Sequence, residues 1–265
     1  MKSLQQLSDL SNRVALVTGA TGGLGKIISV TLAELGADLV LVDRPGSNFD
    51  EVKNFISSYS KGNVINFECD LENQKQRDVL IKKMYSTLKK LNILVNNAAF
   101  VGTSDLKGWS VPFEKQSIDT WRRALEVNLT AVFELCQGLT PVMKNSQGAT
   151  IINISSIYGL HGPDWNLYEG TNFGNPAGYA ISKSGLLGLT RWLATTIAPE
   201  IRVNAIAPGG IRNNQPNSFI KKYSQKTLLG RMANYEDMKG AVSYLASDLS
   251  SYVTGQILSV DGGWH

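Results

Sequence analysis

The amino-acid sequence predicts an α/β protein with one doubly wound parallel sheet of about seven strands and helices on both faces. Short apolar runs alternate with amphipathic stretches along the chain, which is typical of parallel strands joined by helical crossovers. The first apolar run leads into a glycine-rich turn, and a helix begins there. No Pro/Ser-rich linker and no internal repeat divides the 265 residues, so we expect one domain over residues 1–265.

The apolar runs and the amphipathic stretches define the predicted elements in order. The runs predict buried strands at residues 13–18, 38–42, 63–68, 92–95, 150–154, 202–207 and 256–260. The amphipathic stretches predict helices at residues 24–35, 49–60, 73–90, 117–144, 179–198 and 235–247.

Two segments do not fit this alternation, residues 159–178 and residues 209–229. Both are rich in turn-forming residues and mix polar with aromatic side chains. Long irregular segments in a compact α/β domain are usually functional loops or lids. We therefore expect both segments to be irregular and to cover the substrate.

Composition and charge exclude several function classes. The net charge is only +4 and the basic residues are scattered, so we expect no nucleic-acid partner. No apolar run reaches membrane-spanning length and the N-terminus lacks a signal-peptide pattern, so we expect a cytoplasmic protein with no membrane partner. Two cysteines and two histidines make a transition-metal site unexpected, and we expect Cys69 and Cys136 to be reduced and buried.

The glycine-rich turn, residues 18–25, is suited to holding an anion. Glycines expose backbone N–H groups, and the following helix adds its positive N-terminal end. The turn fits neither the G-x-G-x-x-G fingerprint nor the P-loop, and a purely structural role is the alternative. The second strand leads into Asp43, 18 residues past Gly25, near the spacing of a carboxylate that binds an adenosine ribose. Asp43 could instead cap the next turn, but together the features favour a dinucleotide over a nucleoside triphosphate.

The sequence resembles the non-extended short-chain dehydrogenases/reductases. Landmarks of that family follow in order over residues 13–263: T-G-x-x-x-G-x-G at residues 18–25, Cys69-Asp70-Leu71, Asn96-Asn97-Ala98-Ala99, Asn128, Ser156, Tyr179-x-x-x-Lys183, Pro208-Gly209 and Val260-Asp261-Gly262-Gly263. The chain departs from the family in three ways. Ala99 replaces a usual glycine, no threonine follows Pro208-Gly209 near Arg212-Asn213, and the serine-to-tyrosine spacing is about ten residues longer than in many members.

The resemblance implies a Rossmann-type fold, an NAD(P)-dependent reaction on an alcohol or carbonyl group, and a set of site residues. NAD is expected rather than NADP, because Asp43 would repel a 2′-phosphate, although the neighbouring Arg44 could swing toward one. The expected cofactor residues are Gly19, Thr21, Gly23, Leu24, Gly25, Asp43, Asp70, Leu71, Asn97, Ala98, Tyr179, Lys183, Pro208, Gly209 and Ile211. The expected catalytic residues are Asn128, Ser156, Tyr179 and Lys183.

Chemistry supports the Tyr179–Lys183 pair independently. Moving a hydride at a carbonyl carbon requires a proton at the oxygen, and a phenol can supply it if a nearby ammonium lowers its pKa. Residues four apart share one helix face, but Tyr-x-x-x-Lys occurs three times here, also at Tyr85 and Tyr235. Only Tyr179 starts a helix soon after a strand that ends in hydroxyl groups, whereas the other two pairs are predicted to lie in the middle of surface helices.

The two remaining catalytic candidates are supported less directly. Ser156 would stabilise charge on the substrate oxygen, with Ser155 as the competing candidate and a structural role for both serines as the alternative. Asn128 is expected from the resemblance to hold, through its backbone carbonyl, a water that links Lys183 to solvent. Considered alone, Asn128 would be an exposed polar residue on a helix.

The substrate and the assembly are predicted from weaker patterns. The mixture of polar and aromatic side chains in residues 159–178 suits a sugar or polyol substrate. Residues 158–183 also resemble dehydrogenases of bacterial surface-sugar and flagellin-glycosylation pathways. Arg212 could pair with an acidic group of the substrate or be a surface charge. The competing functions are a catalytically silent NAD-binding regulatory module and an extended-branch epimerase or dehydratase, the latter weakened by the short C-terminal portion. A homo-oligomer, tetramer or dimer, is expected because two helices, at 117–144 and 179–198, carry apolar residues on several faces, for example Val127, Leu129, Val132, Phe133 and Leu135.

Overall fold

The computed structural model describes residues 1–102 and 106–265, and its centre is a parallel sheet of seven strands. The strands follow the order β3-β2-β1-β4-β5-β6-β7, and every neighbouring pair is parallel. They are β1 (Val14–Thr18), β2 (Asp38–Asp43), β3 (Val64–Glu68), β4 (Ile93–Asn96), β5 (Ala149–Ile154), β6 (Ile201–Pro208) and β7 (Ile257–Val260). The order reverses between β1 and β4, where ligands bind in doubly wound sheets.

Helices connect the strands and cover both faces of the sheet. They are α1 (Leu4–Ser8), α2 (Gly23–Glu34), α3 (Phe49–Ser57), α4 (Gln74–Thr87), α5 (Ile118–Leu125), α6 (Ala131–Lys144), α7 (Ala177–Thr196), α8 (Asn217–Gln225) and α9 (Lys239–Ala246). One apolar core joins the sheet to α4, α6 and α7 through side chains such as Met84, Leu139 and Leu186. A second core joins the other face to α2, α3 and α9 through Ile28, Val52 and Leu245. The predicted doubly wound α/β fold is confirmed.

The helix predicted over residues 117–144 is interrupted at its centre. A π-helical turn, Glu126–Thr130, separates α5 from α6, and the Ala131 N–H donates to the Glu126 carbonyl five residues earlier. Arg77, 1% exposed, lies against this turn and donates to the carboxylates of Glu126 and Glu134, both at 2.6 Å. These two ion pairs connect α4 to the π-turn and to α6.

Two helices lie where none was predicted. In α1, the Ser3 hydroxyl and the Gln6 side chain form a reciprocal capping box. The α8 helix lies within residues 209–229, which were expected to be irregular. This helix forms because Phe219 and Tyr223 are four residues apart and bury the same face.

Both cysteines are buried and free, as predicted. Burial raises the pKa of the Cys69 thiol to about 11 and that of Cys136 to about 12, so neither is a ready nucleophile at neutral pH. Within the described part of the chain, no helix has the length and apolar character needed to cross a membrane.

Candidate active site

A cleft of about 920 Å³ opens at the carboxyl ends of β1, β2, β4, β5 and β6. It is lined by the glycine-rich turn, by the ends of these strands and by the first turns of α7. Every residue predicted to bind the cofactor lines this cleft, as do Ser156, Tyr179 and Lys183. Of the predicted site residues, Asn128 alone does not line it.

The glycine-rich turn requires its glycines for steric reasons. Gly19 has φ +63°, a conformation that L side chains rarely adopt, and a Cβ at Gly25 would overlap the Gly19 carbonyl oxygen. The Asn97 amide donates to the carbonyl oxygens of Thr18 at 2.9 Å and Gly19 at 3.1 Å, which fixes the turn. Helix α2 begins at Gly23 after Gly22, with no side-chain cap at its N-terminus. This bare helix start leaves N–H groups available to an anion in the cleft.

Asp43 lies at the end of β2, beside the turn. One carboxylate oxygen accepts hydrogen bonds from the Thr21 N–H at 2.8 Å and the Thr21 hydroxyl at 2.7 Å. The other accepts from the Arg44 N–H at 2.8 Å. The carboxylate is thus fixed at the cleft wall, while Arg44 is exposed at its edge.

The other predicted cofactor residues lie along the same wall or across from it. Leu24 follows Gly23 at the start of α2, whereas Asp70 and Leu71 follow β3 and Ala98 follows β4. Pro208 ends β6, and Gly209 and Ile211 continue from it. Together with the glycine turn and Tyr179, these residues line one continuous cleft.

Tyr179, Lys183 and Ser156 meet at one part of the cleft. Lys183 is 3% exposed, its Nζ donates to the Ile154 carbonyl at 2.8 Å, and it lies 5.8 Å from the centre of the Tyr179 ring. The Ser156 hydroxyl accepts from the Tyr158 N–H at 3.1 Å, whereas the Ser155 hydroxyl donates to the Lys183 carbonyl at 2.8 Å. Ser155 is therefore tied to α7, whereas the Ser156 hydroxyl lies against the Tyr179 hydroxyl in the cleft.

Burial controls the ionisation of this group. It lowers the pKa of Lys183 to about 8. Burial also raises the pKa of Tyr179, and the Ser156 hydroxyl opposes this rise. The expectation that the ammonium lowers the phenol pKa is therefore not met in the protein alone, because desolvation of the phenolate dominates.

Asn128 lies in the π-turn and is 1% exposed, so its interpretation as an exposed helix residue is wrong. Its side-chain oxygen accepts from the Phe100 N–H at 2.6 Å, and its amide donates to the Ser182 hydroxyl at 2.9 Å. The side chain therefore connects the loop after β4 with the residue next to Lys183.

Several lining residues were not predicted as site residues. Tyr235 lies at the start of a short 3-10 turn before α9, not in mid-helix as predicted, and its ring occupies the space that a Cβ on Gly23 would need. The hydroxyls of Tyr158 and Tyr168 form a 2.6 Å hydrogen bond beside the Tyr179 region. The Tyr-x-x-x-Lys spacing at Tyr235 was visible in the sequence, but no local pattern places Tyr158 against Tyr168.

The two segments expected to cover the substrate pack against each other. Phe219 of α8 contacts the Tyr168 ring at 5.6 Å between ring centres. Lys226 pairs with Asp164 at 2.8 Å, and Lys222 donates to the Asn166 carbonyl at 2.6 Å. Arg212, considered as a ligand for an acidic group, is exposed and does not line the cleft.

The residues of the cleft fit a dinucleotide. The glycine turn leaves a cradle that Cβ atoms would fill, and the start of α2 faces the same cleft. The same cleft is lined by a fixed carboxylate, Asp43, and by the buried Lys183. This arrangement suits a pyrophosphate between two ribose groups.

Known proteins are similar to this chain in sequence and in fold. A family model described as enoyl-(acyl carrier protein) reductase matches residues 19–265. The 3-oxoacyl-[acyl-carrier-protein] reductase FabG of Thermotoga maritima is 30% identical, over 96% of this chain and 98% of its own length. The post-translational flagellin modification protein A of Campylobacter coli is 29% identical, over 96% of this chain and 99% of its own.

Solved structures agree with these relatives. A short chain dehydrogenase from Leptospira borgpetersenii with bound NAD+ is 31% identical, has a TM-score of 0.83, and is matched over 99% of this chain and 96% of its own. The Pseudomonas aeruginosa RhlG/NADP active-site complex is 28% identical, has a TM-score of 0.84, and is matched over 97% of this chain and 98% of its own.

Proposed function

The chain belongs to the short-chain dehydrogenase/reductase family and is an NAD(P)-dependent oxidoreductase of CH–OH groups, and on this premise we propose that it oxidises or reduces a sugar or polyol derivative with NAD(H). The observation that carries the proposal is the arrangement of Ser156, Tyr179 and Lys183 in the same cleft as the glycine turn and Asp43. A catalytically silent regulatory module is not favoured, because a pure binder has no need of all three side chains.

The cofactor would lie along the glycine turn, with its adenosine ribose at Asp43 and its nicotinamide end toward Tyr179. Its nicotinamide ring supplies or accepts the hydride when bound. The Asp43 carboxylate can accept hydrogen bonds from ribose hydroxyls, whereas a 2′-phosphate would meet a like charge there. These contacts support NAD over NADP, with the exposed Arg44 as the residue that opposes the preference.

Tyr179 is the proposed acid/base, giving a proton to the substrate oxygen in reduction and removing it in oxidation. Lys183, whose pKa burial lowers to about 8, exchanges a proton near neutral pH more readily than an ordinary lysine. Ser156 would donate to the substrate oxygen and stabilise charge there. Asn128 is proposed to belong to the proton relay, and its side-chain bonds to Phe100 and Ser182 would hold the relay in position.

Residues 159–178 and 209–229 are proposed to form the substrate lid. Their mutual contacts, Lys226–Asp164 and Tyr168–Phe219, support this proposal, as does the presence of Tyr168 and Phe219 in the lining of the cleft. Replacing residues 163–173 by a short glycine linker should raise KM or broaden the substrate range, with the NAD dissociation constant little changed. Loss of NAD binding with unchanged selectivity would contradict the lid.

We propose further that residues 1–265 form one domain and that the protein is a homo-oligomer, tetramer or dimer. Of the apolar residues first considered, Val132 and Leu135 are buried within the subunit, so they no longer support a partner. Ile118, Ile181 and Trp192 are exposed by more than half on α5 and α7, and Phe133 is 39% exposed on α6. Light scattering should show an oligomer at micromolar concentration, and a monomer alone would contradict the proposal.

The function is tested by NADH formation with a panel of sugars and polyols. The parent protein should turn over at least one of them, and Ser156→Ala should lose far more activity than Ser155→Ala. NAD binding without turnover of any member of the panel, or equal loss in both serine variants, would count against the proposal.

A further inference from the structure

Tyr235 lies against the glycine-rich turn, although the two are more than 200 residues apart in the sequence. It begins the short 3-10 turn Tyr235–Met238 and lines the same cleft as Gly23 and Leu24. A Cβ at Gly23 would lie 2.5 Å from the hydroxyl oxygen of Tyr235, closer than real Cβ atoms come. Since a carbon–carbon bond is about 1.5 Å long, this oxygen lies within about 4 Å of the Gly23 Cα.

The first residues of α2 leave backbone donors unpaired beside this hydroxyl. The N–H groups of Gly23, Leu24 and Gly25 have no acceptor among the described residues, and the Gly22 position offers no side-chain cap. A phosphate in the cleft at this helix start can accept from these groups. The Tyr235 hydroxyl is therefore next to the place where a pyrophosphate would be bound.

The Tyr235 hydroxyl is available to a ligand. It has no hydrogen-bond partner among the described residues, and it is not one of their fully buried unpaired groups, so its oxygen has accessible surface. Other polar side chains near the turn are already paired. The Thr21 hydroxyl donates to Asp43 at 2.7 Å, and the Gln215 amide donates to the Ile211 carbonyl at 2.9 Å. Tyr235 thus offers an uncommitted side-chain donor at this part of the cleft.

The segment that carries Tyr235 is fixed by its own hydrogen bonds. The Asn234 side chain accepts from the Asp237 N–H at 3.0 Å, and the Asp237 carboxylate accepts from the Asn234 N–H at 2.8 Å. Arg231 binds the same carboxylate through both terminal nitrogens, at 2.6 and 2.9 Å. The residue before Asn234 donates its N–H to the Gly210 carbonyl at 3.0 Å. A ligand that accepts from the phenol therefore has little of this segment to order.

Tyr235 also adds a hydroxyl to a wall of the cleft that otherwise lacks one in its own loop. Residues 209–214, which follow β6, include no serine, threonine or tyrosine. Ile211 of this loop forms a bridge with Ala233, and the bridge brings Tyr235, two residues further on, beside the loop. A phosphate between the glycine turn and this loop would therefore meet the Tyr235 hydroxyl.

We propose that Tyr235 is a cofactor-binding residue whose hydroxyl donates to a pyrophosphate oxygen of NAD, beside the N–H groups at the start of α2. The proposal rests on the proposed function only in that the cleft binds the dinucleotide. A hydrogen bond to a charged phosphate oxygen is stronger than one between neutral groups, so a single phenol has a measurable effect on affinity. The close contact also makes the two positions dependent, because a side chain at Gly23 would displace the phenol.

Titration calorimetry with NAD tests this proposal in Tyr235→Phe, which keeps the ring against Gly23 and removes the hydroxyl. The NAD dissociation constant should rise about tenfold, the size expected for a lost hydrogen bond to a charged group. Tyr252→Phe, at a fully exposed tyrosine, should leave the constant unchanged. When Gly23→Ala is already present and the phenol is displaced, adding Tyr235→Phe should raise the constant by about twofold or less.

Phosphorus NMR of bound NAD identifies the group that the phenol contacts. At least one of the two phosphorus resonances should move in Tyr235→Phe, and both should keep their positions in Tyr252→Phe. An unchanged NAD dissociation constant in Tyr235→Phe would overturn the proposal. A weaker affinity with both resonances unmoved would also overturn it, because the hydroxyl would then act elsewhere than on the pyrophosphate.

The proposed function is judged separately by NADH formation with sugars and polyols. Weaker NAD binding and a moved phosphorus resonance in Tyr235→Phe, with no turnover of any substrate by the parent protein, would contradict the function and support the role of Tyr235. Turnover by the parent with an unchanged dissociation constant in Tyr235→Phe would do the reverse. If the parent binds NADP more tightly than NAD, the same comparison uses NADP, since both cofactors carry the pyrophosphate.

Discussion

The two ends of the cleft are built in different ways. The main parts of the proposed cofactor end are one turn, Gly19 to Gly25, and one carboxylate, Asp43, both within residues 18–43 and held by hydrogen bonds of 2.7–3.1 Å from Thr21 and Asn97. The proposed substrate end is lined by the aromatic side chains of Tyr158, Tyr168, Phe219 and Tyr223, which come from two segments distant in sequence. A local motif therefore specifies the first end, whereas only the tertiary fold specifies the second.

We expect the largest effect on turnover from a change at Tyr179, which lies between the two ends of the cleft. Tyr179→Phe keeps the ring but removes the oxygen that carries the proton, so kcat should fall by about 10²–10⁴. The NAD dissociation constant should stay nearly unchanged, because the cofactor end is untouched. Steady-state kinetics and NAD titration measure both, and Tyr85→Phe, the half-exposed tyrosine of another Tyr-x-x-x-Lys, is the matched control. A near-normal kcat in Tyr179→Phe would remove it from the mechanism.

A steric change at the cofactor end should separate it from the substrate end. In Gly25→Ala the new methyl group overlaps the Gly19 carbonyl, so the turn must distort. NAD binding should weaken by about tenfold to a hundredfold, as measured by titration calorimetry. Gly240→Ala, on α9 where a Cβ meets nothing within 4 Å, should leave NAD binding unchanged. Full NAD affinity in Gly25→Ala would mean that the cofactor does not use this turn.

The preference for NAD over NADP also distinguishes the two ends of the cleft, because we expect it to depend mainly on the Asp43 side chain. Asp43→Ala removes both the acceptor for the ribose and the charge that opposes a 2′-phosphate. The ratio of kcat/KM with NAD to that with NADP should fall by about tenfold, equivalent to about 1.4 kcal/mol. The selectivity among sugars should not change. A parent protein that prefers NADP would reverse the assignment.

The smallest effect is a dependence of stability on pH. Burial lowers the pKa of Lys183 from 10.5 to about 8, so between these values the unfolded chain binds more protons at this site than the folded one. The free energy of unfolding of the protein without cofactor should therefore rise with pH above about 8, by about 1 kcal/mol per pH unit. Denaturant titration at several pH values checks this rise relative to Lys183→Met, which removes the titrating group. Parallel pH profiles for the two proteins would show that Lys183 is not shifted.

Much of the fold and of the cofactor end could be predicted from the sequence. Each of the seven strands coincides with a short apolar run, and the observed bounds differ from the predicted ones by at most one residue. The glycine turn and Asp43 were recognisable because their function depends on backbone conformation and short spacing. All fifteen expected cofactor residues line the cleft, although their individual roles stay predictions.

The rest depended on long-range contacts. Arg77 has the sequence context of a surface helix, and its burial follows only from the carboxylates of Glu126 and Glu134 that the fold brings to it. Tyr158 and Tyr168 carry no local signal of their environment. The flanking glycines and prolines of residues 209–229 concealed α8, whose apolar spacing of four residues is short and isolated.

The π-turn at Glu126–Thr130 also explains why the apolar residues of the helix predicted over residues 117–144 fell on several of its faces. A π-turn holds one residue more than the α-helical path it replaces, and each residue of a helix turns the chain by about 100°. The apolar stripe of α5 is therefore out of phase with that of α6. Projected as one continuous helix, the two stripes look like apolar residues on several faces.

The same turn bears on how this chain tolerates insertions and deletions. Loss of one residue from 126–130 would regularise the helix and improve its local hydrogen bonding. It would also rotate Asn128 away from Phe100 and Ser182 and separate Glu126 from Arg77. A deletion that looks harmless by helix propensity is thus harmful at this position, so the length of the chain is constrained here more tightly than its composition.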